Sequence, residues 1–157
     1  MPHWLSYMTR NDGSRLAYLW RAWLAVMLGT ALIAVLAVLV FPVAETAQEA
    51  PPPPFPGVVL LSPAVPSLAL WGVLEVLRRA LPTYWHAAGG AALVFAGVFK
   101  LASGVQGGLI FAWPYFLSAL TFLAWHLRSD LEGVTMTFAL QVAANAALNL
   151  RVFQARA

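Results

Sequence analysis

Cysteine is absent from the 157 residues of this chain, and charged residues make up only 10% of them. The first absence excludes disulfides, cysteine-ligated zinc sites and iron–sulfur clusters. The second is well below the roughly 25% of charged residues in a typical soluble domain, while 61% of this chain is hydrophobic. Because so few charges cannot keep a folded surface in water, the composition predicts an integral membrane protein.

Recognisable catalytic motifs are missing as well. The sequence contains no G-x-S-x-G, no H-E-x-x-H and no glycine-rich phosphate loop, and its six acids and three histidines are spread along the chain. We therefore predict no enzymatic activity. The net charge of +3 does not indicate nucleic-acid binding, because the basic residues are scattered rather than gathered on one face.

What the chain does contain is a series of long uncharged runs. The first, residues 22–43, is long enough to cross a hydrocarbon core of about 30 Å and longer than the apolar part of a secretory signal. Together the runs predict one all-α bundle, residues 22–153, of five transmembrane helices. The predicted spans are 22–43, 57–79, 84–101, 108–127 and 133–151.

The segments around these runs carry the topological signals. Residues 1–21 hold three arginines among aromatic residues, which is typical of a cytoplasmic segment at the headgroup layer. Residues 44–56 are rich in proline and are predicted to form a stiff external loop, and residues 154–157 form a short tail. We expect a multi-pass protein of the cell (inner) membrane with a cytoplasmic N-terminus.

The last run leaves two topologies open. Thr137, Gln141, Asn145 and Asn149 recur every four residues, and such a polar stripe must face protein or water rather than lipid. With five spans, six basic residues lie inside and three outside. With four spans and an interfacial amphipathic C-terminal helix, eight basic residues lie inside, which is the distribution that the positive-inside rule prefers. The length and lack of charge of the run favour spanning.

Small residues predict where the helices pack. Ala88, Ala92 and Ala96 repeat along one face of the third run, with Gly89 beside them, and such faces let helices approach closely in lipid. This pattern predicts that the third helix is central. Gly29 is the corresponding candidate in the first span.

A ligand pocket is one hypothesis for the polar and aromatic residues within the spans. Trp71 lies too deep for an aromatic belt, and Trp113-Pro114-Tyr115 is an aromatic cluster at a predicted kink. With the amides of Gln141 and Asn145, these aromatic residues could line a pocket for a flat apolar ligand. Packing in the core of the bundle explains the same residues.

Two further polar features admit both a functional and a structural interpretation. Glu75 is the only acid in a predicted span, so it could bind a proton or cation, or it could pair with Arg79 four residues later. His86 and His126 each follow a tryptophan at the inner side, where they could ligate a haem b or simply belong to the interfacial belt. No other cofactor is predicted.

Several features together resemble the tryptophan-rich sensory proteins, the translocator-protein family. They are five spans in this length, abundant tryptophan, a proline-bearing loop after the first helix, and Leu148-Asn149 near the end of the last run. The resemblance implies porphyrin or sterol-like ligands. The chain departs from the family where Thr137-Phe138 replaces a Pro-Tyr pair and where the Asn-Trp pattern of the third helix is missing. Only Leu148 and Asn149 therefore carry over.

Small size, faces of small residues and the lack of chemistry lead to one functional expectation. We expect an accessory or assembly subunit of a larger membrane complex, in contact with the lipid bilayer and with other membrane subunits or further copies of itself. The alternatives are a bundle that binds or translocates a small apolar ligand, as the resemblance implies, and a haem-bearing membrane anchor.

Overall fold

The computed structural model describes residue 10, residues 13–41 and residues 61–154, with side chains described up to Leu148. Within these ranges the protein is entirely helical. Its helices are α1 (Arg15–Val40), α2 (Ser62–Ala80), α3 (Tyr84–Trp125) and α4 (Asp130–Gln154). Of these, α1 and α3 are long and apolar enough to cross a membrane. The predicted proline-rich loop, residues 44–56, lies outside the described residues.

Helix α3 is the element that differs most from the predicted spans. Gly104 within it has φ 75° and ψ −176°, a backbone conformation that is essentially restricted to glycine. The chain reverses there, because the rings of Phe95 and Tyr115 stack with centroids 4.1 Å apart. In a straight helix these residues would be about 30 Å apart. We therefore describe α3 as a hairpin of two antiparallel arms, residues 84–103 and 105–125.

The prediction of five separate helices is wrong in this respect, since the described chain has four. The predicted spans 84–101 and 108–127 belong to one element, and the loop expected between them shrinks to Gly104. Glycines make this tight reversal possible. A Cβ on Gly108 would lie 2.8 Å from the carbonyl oxygen of Ala96, and a Cβ on Gly107 would lie 2.6 Å from the Cβ of Ser103.

Contacts between helix ends define one end of the bundle, which we call the charged end. Arg15 Nη2 lies 2.6 Å from Glu132 Oε1 and joins the first turns of α1 and α4. The rings of Tyr84 and His126 meet edge to face at 6.2 Å, which brings the beginning of α3 close to its end. Helix α2 also ends here, because only three residues separate Ala80 from the start of α3.

The opposite end is formed by the end of α1 and the reversal of α3. Gln106 Nε2 donates a hydrogen bond of 2.9 Å to the carbonyl oxygen of Phe41, the residue after α1. This carbonyl belongs to the helix terminus, where backbone acceptors lack partners within the helix. Lys100 lies at this end, four residues before Gly104.

Helix α4 lies lengthwise in the bundle rather than across its end. Gly133 faces Phe122, and Thr137 Oγ1 donates to the carbonyl oxygen of Ser118 at 3.4 Å, so α4 runs antiparallel to the second arm of α3. On its other side, Trp23 Nε1 donates to the carbonyl oxygen of Ala143 at 3.2 Å. Packing therefore continues from its first turn to its middle.

The second arm of α3 forms the centre of the bundle. Every residue from Leu117 to Trp125 is buried, as expected of a helix that is apolar all round and surrounded on all sides. The prediction that the third run is central is wrong. Its arm buries only one face, which includes Ala91 and Phe95, and leaves Leu93 75% exposed. Helices α1 and α2 each pack against α3 and α4 but not against each other.

Candidate apolar groove and buried polar contacts

A groove of about 550 Å³ runs between α1 and the second arm of α3, and we call it the Trp113 groove. Its wall on α3 is Trp113. One face of α1 provides the rest, namely Arg21, Leu24, Ala25, Leu28, Gly29, Leu32 and Ile33. These positions repeat at three- and four-residue spacing, as residues on one helix face do.

Gly29 allows Trp113 to lie in this groove. A Cβ on Gly29 would come within 2.0 Å of Trp113 Nε1, a distance that no real side chain tolerates. The same indole N–H donates a hydrogen bond of 2.9 Å to the carbonyl oxygen of Ala25. Glycine at position 29 therefore lets a tryptophan place its one polar atom against the backbone of α1. Only the apolar face of the indole ring therefore lines the groove.

A second groove of about 490 Å³ lies on the outer face between α2 and the first arm of α3, and we call it the α2–α3 groove. It is lined by Ala69, Gly72, Val73, Val76, Leu77 and Val94. Gly72 opens to empty space, since a Cβ there would meet no atom within 4 Å. Behind this surface Gly90 packs against Leu77 of α2.

The structure does not bring the residues that we considered for ligand binding into one cavity. There are six of them, namely Trp71, Glu75, Trp113, Tyr115, Gln141 and Asn145. Of the six, only Trp113 lines either of the two grooves. Tyr115 is buried and stacks between the arms of α3 against Phe95. Trp71 is 39% exposed on α2.

The amide of Gln141 joins two helices. Ser67 Oγ on α2 donates a hydrogen bond of 2.9 Å to Gln141 Oε1 on α4. Ser67 is buried and Gln141 is partly buried, so the pair sits between the helices, where each group satisfies the other. Asn145, one turn further along α4, is partly buried. The polar stripe predicted on this helix therefore faces protein at least at Thr137 and Gln141.

Glu75 forms ion pairs within its own helix. Its two carboxylate oxygens contact Arg78 and Arg79, three and four residues later. This confirms the pairing predicted from the i, i+4 spacing, in the order of charges that favours a helix. The side chain is about one quarter exposed, so the pair lies at the edge of the bundle rather than in its interior.

The two histidines make separate local contacts. Thr83 caps α3 by accepting a hydrogen bond from the backbone N–H of His86, and Thr83 Oγ1 lies 2.8 Å from His86 Nδ1. His126 Nδ1 lies 2.7 Å from the carbonyl oxygen of Leu123 at the end of α3 and must donate to it, because a carbonyl only accepts. Each ring thus stabilises a helix terminus. In the described part of the chain, no three metal-ligating side chains come together.

The packing residues proposed from the sequence meet different surroundings. Ala88 and Ala92 are buried and Ala96 is half-buried. Gly29 contacts Trp113 closely, whereas a Cβ on Gly89 would meet no atom within 4 Å. Gly89 therefore lies beside the packing face but not in it.

No known protein family matches the chain, and neither a curated protein nor a solved structure does. Of the two residues that carry the resemblance to the translocator-protein family, Leu148 is half-exposed. The side chain of Asn149 lies outside the described part.

Sequence reasoning missed the pairing of Gly29 with Trp113 and the role of Ser67, because both depend on contact between distant parts of the chain. It did predict a turn in the glycine-bearing stretch S-G-V-Q-G-G, residues 103–108, but not that Gly104 alone makes the reversal.

Proposed function

We propose that this chain is a multi-pass protein of the cell (inner) membrane that works as a non-enzymatic subunit of a larger membrane complex. Its orientation follows from the two ends of the bundle. The charged end carries the arginines of α1, α2 and the α3–α4 turn, whereas Lys100 lies at the opposite end. The positive-inside rule then directs the charged end towards the cytoplasm.

Five crossings are the topology that we propose for the four helices. Each arm of α3 has about 20 residues and therefore a length of about 30 Å, which equals the thickness of the hydrocarbon core. Helix α2 is of similar length and α4 lies lengthwise beside it, so both fit the same layer. In this arrangement the Gly104 reversal lies at the external surface.

The outer face of the α2–α3 groove supports the role as a subunit. Gly72 and Gly97 both point into open space, and Val94, which lines the groove, lies one turn from Gly97 on α3. Glycine on a surface of this kind fills no space within the chain, but it lets another helix approach closely in lipid, where packing drives association. The combination of an apolar groove with open glycines is the observation on which the proposal rests.

A bulky side chain at Gly72 tests the proposal. Because a Cβ there meets no atom within 4 Å, Gly72→Leu should leave the thermal unfolding of the purified chain nearly unchanged. The complex should nevertheless disappear from native gels of mildly solubilised membranes. The matched control is Ala31→Leu on the exposed face of α1, which should leave the complex intact. A wild-type chain that purifies in mild detergent as a lone monomer contradicts the proposal.

The identity of the partner can be tested with the same position, because the chain has no cysteine. If the partner is a second copy, oxidation of a Gly72→Cys variant in membranes should give a disulfide-linked dimer. If the partner is another subunit, the oxidised Gly72→Cys variant should run as a monomer on a denaturing gel. The complex of the wild type should still be present on native gels.

A ligand-binding function is the second candidate, and the Trp113 groove favours it. This groove is open, almost wholly apolar and large enough for part of a small molecule. Tryptophan fluorescence that changes with an added apolar ligand in the wild type but not in Trp113→Phe would support this candidate.

A further inference from the structure

The Trp113 groove has the length of one leaflet rather than of a whole membrane. It extends on α1 from Arg21 to Ile33, which corresponds to about 18 Å of helix. Half of the hydrocarbon core is about 15 Å thick. A partner helix that crossed the membrane would need a surface along all of α1, whereas this groove ends at Ile33, seven residues before the end of the helix at Val40.

The groove is also polarised along its length. Among the residues that the structure describes, Arg21 is the only charged one in the lining, and it lies at the end of the groove nearest to the charged end of the bundle. The rest of the lining is aliphatic or, at Trp113, the face of an indole whose N–H is already bonded to Ala25. An occupant with one anionic group followed by a hydrocarbon chain is complementary to this surface.

We infer that the Trp113 groove binds one acyl chain of an anionic phospholipid of the inner leaflet, with the phosphate next to the guanidinium of Arg21. The inference rests on the proposed insertion with the charged end in the cytoplasm, where anionic headgroups and arginine attract each other. Gly29 is then the residue that shapes the site, because it allows Trp113 to form its wall.

Quenching by brominated lipids tests the inference with the full chain in vesicles. The probes are phosphatidylglycerol and phosphatidylcholine with brominated acyl chains, which quench tryptophan fluorescence. The quenching of Trp113 is obtained by subtracting the fluorescence of the Trp113→Phe variant from that of the wild type. We expect phosphatidylglycerol to reach half-maximal quenching at a mole fraction about fivefold lower than phosphatidylcholine, as one arginine–anion contact at a membrane surface predicts. Arg21→Gln should remove this preference and leave quenching by phosphatidylcholine unchanged.

Filling the groove provides an independent readout. Native mass spectrometry in detergent should show one phosphatidylglycerol molecule on the wild type, and the double variant Leu28→Phe, Leu32→Phe should lose it. The matched control Leu36→Phe, Leu39→Phe, on the same helix but outside the groove, should retain it. All four leucines are at least half exposed, so both variants should fold.

Three results would overturn the inference. One is equal quenching of Trp113 by the two lipids, and another is equal loss of bound lipid from both double variants. The third is a photo-crosslinker at Leu28 that captures a protein in membranes, which would show that a helix occupies the groove. Release of the wild type from membranes at alkaline pH would instead contradict the proposed insertion itself, so the two failures are distinguishable.

Discussion

At the scale of single residues, glycines with the same sequence environment serve different purposes in this bundle. Gly29 and Gly72 both lie within apolar helices, but a Cβ on Gly29 would collide with Trp113 and a Cβ on Gly72 would meet nothing. Only the first is required by internal packing. Helical glycine is otherwise a cost, since alanine in its place stabilises a helix by about 0.5–1 kcal/mol.

This contrast gives the first prediction. Gly29→Ala should lower the free energy of unfolding by about 1–3 kcal/mol, because the added methyl displaces Trp113 and breaks its bond to Ala25. Gly72→Ala, the matched control, should leave stability unchanged or raise it slightly. Unfolding in mixed detergent micelles, followed by tryptophan fluorescence, measures both. Equal effects of the two variants would show that Trp113 does not pack on Gly29.

The hydrogen bond between Ser67 and Gln141 gives the second prediction. A double-mutant cycle with Ser67→Ala and Gln141→Ala should give a coupling energy of about 0.6 kcal/mol, the average for hydrogen bonds between membrane helices. The control cycle pairs Ser67→Ala with Thr135→Ala. Thr135 is exposed on α4, the helix that carries Gln141, so the two changes in stability should be additive. Additivity in the first cycle would mean that the bond does not link α2 and α4.

At the scale of helices, α3 departs most from what the sequence predicts. The sequence predicts a loop of six residues between the two arms, but in the structure a single glycine, Gly104, joins them. Gly107 and Gly108 pack against the first arm. Stacked aromatic rings then lock the arms together, at Phe95 on Tyr115 and at Phe99 on Phe111. Packing therefore holds the two arms against each other on one side of the reversal.

A substitution at Gly104 tests this view of α3. Gly104→Ala should destabilise the protein by about 1–3 kcal/mol, because its dihedral angles are strained for any residue with a Cβ. Steric collision is not the cause, since a Cβ there meets no atom within 4 Å. Gly97→Ala, on the same arm at an open helical position, should not destabilise. If Gly104→Ala unfolds like the wild type, the chain does not reverse at this residue.

At the scale of the whole molecule, the structure arranges its helices so that charge gathers at one end. Arg15 and Glu132 join α1 to α4 there, and Arg128 lies 4.9 Å above the ring of Trp125. Ser129 accepts a hydrogen bond from the backbone N–H of Glu132, which caps the first turn of α4. The charged end is thereby tied together by polar contacts.

Cysteine labelling tests the proposed orientation directly. In a chain without native cysteine, Ala80→Cys marks the end of α2 at the charged end, and Ala102→Cys marks the reversal of α3. Both positions are exposed. An impermeant maleimide added to intact cells whose inner membrane is accessible should label only Ala102→Cys, and Ala80→Cys should react after permeabilisation. Labelling of both from the same side would contradict the crossing of the first arm.

What the sequence alone determined is what depends on local composition. Long apolar runs specify helices, the spacing of Glu75 and Arg79 specifies their ion pair, and the all-helical prediction is confirmed. Each of these follows from residues within a few turns of one another. The sequence also placed the first span, although α1 begins earlier, at Arg15, because the basic and aromatic residues before the apolar run continue the same helix.

Only the tertiary structure decided which faces meet. The central position of the second arm of α3, the Ser67–Gln141 bond and the placement of Trp113 on Gly29 each join residues far apart in the chain. In lipid an apolar face has no intrinsic preference for protein over solvent, so packing selects its partner by shape. Such complementarity is a property of two surfaces together, and neither segment of sequence contains it by itself.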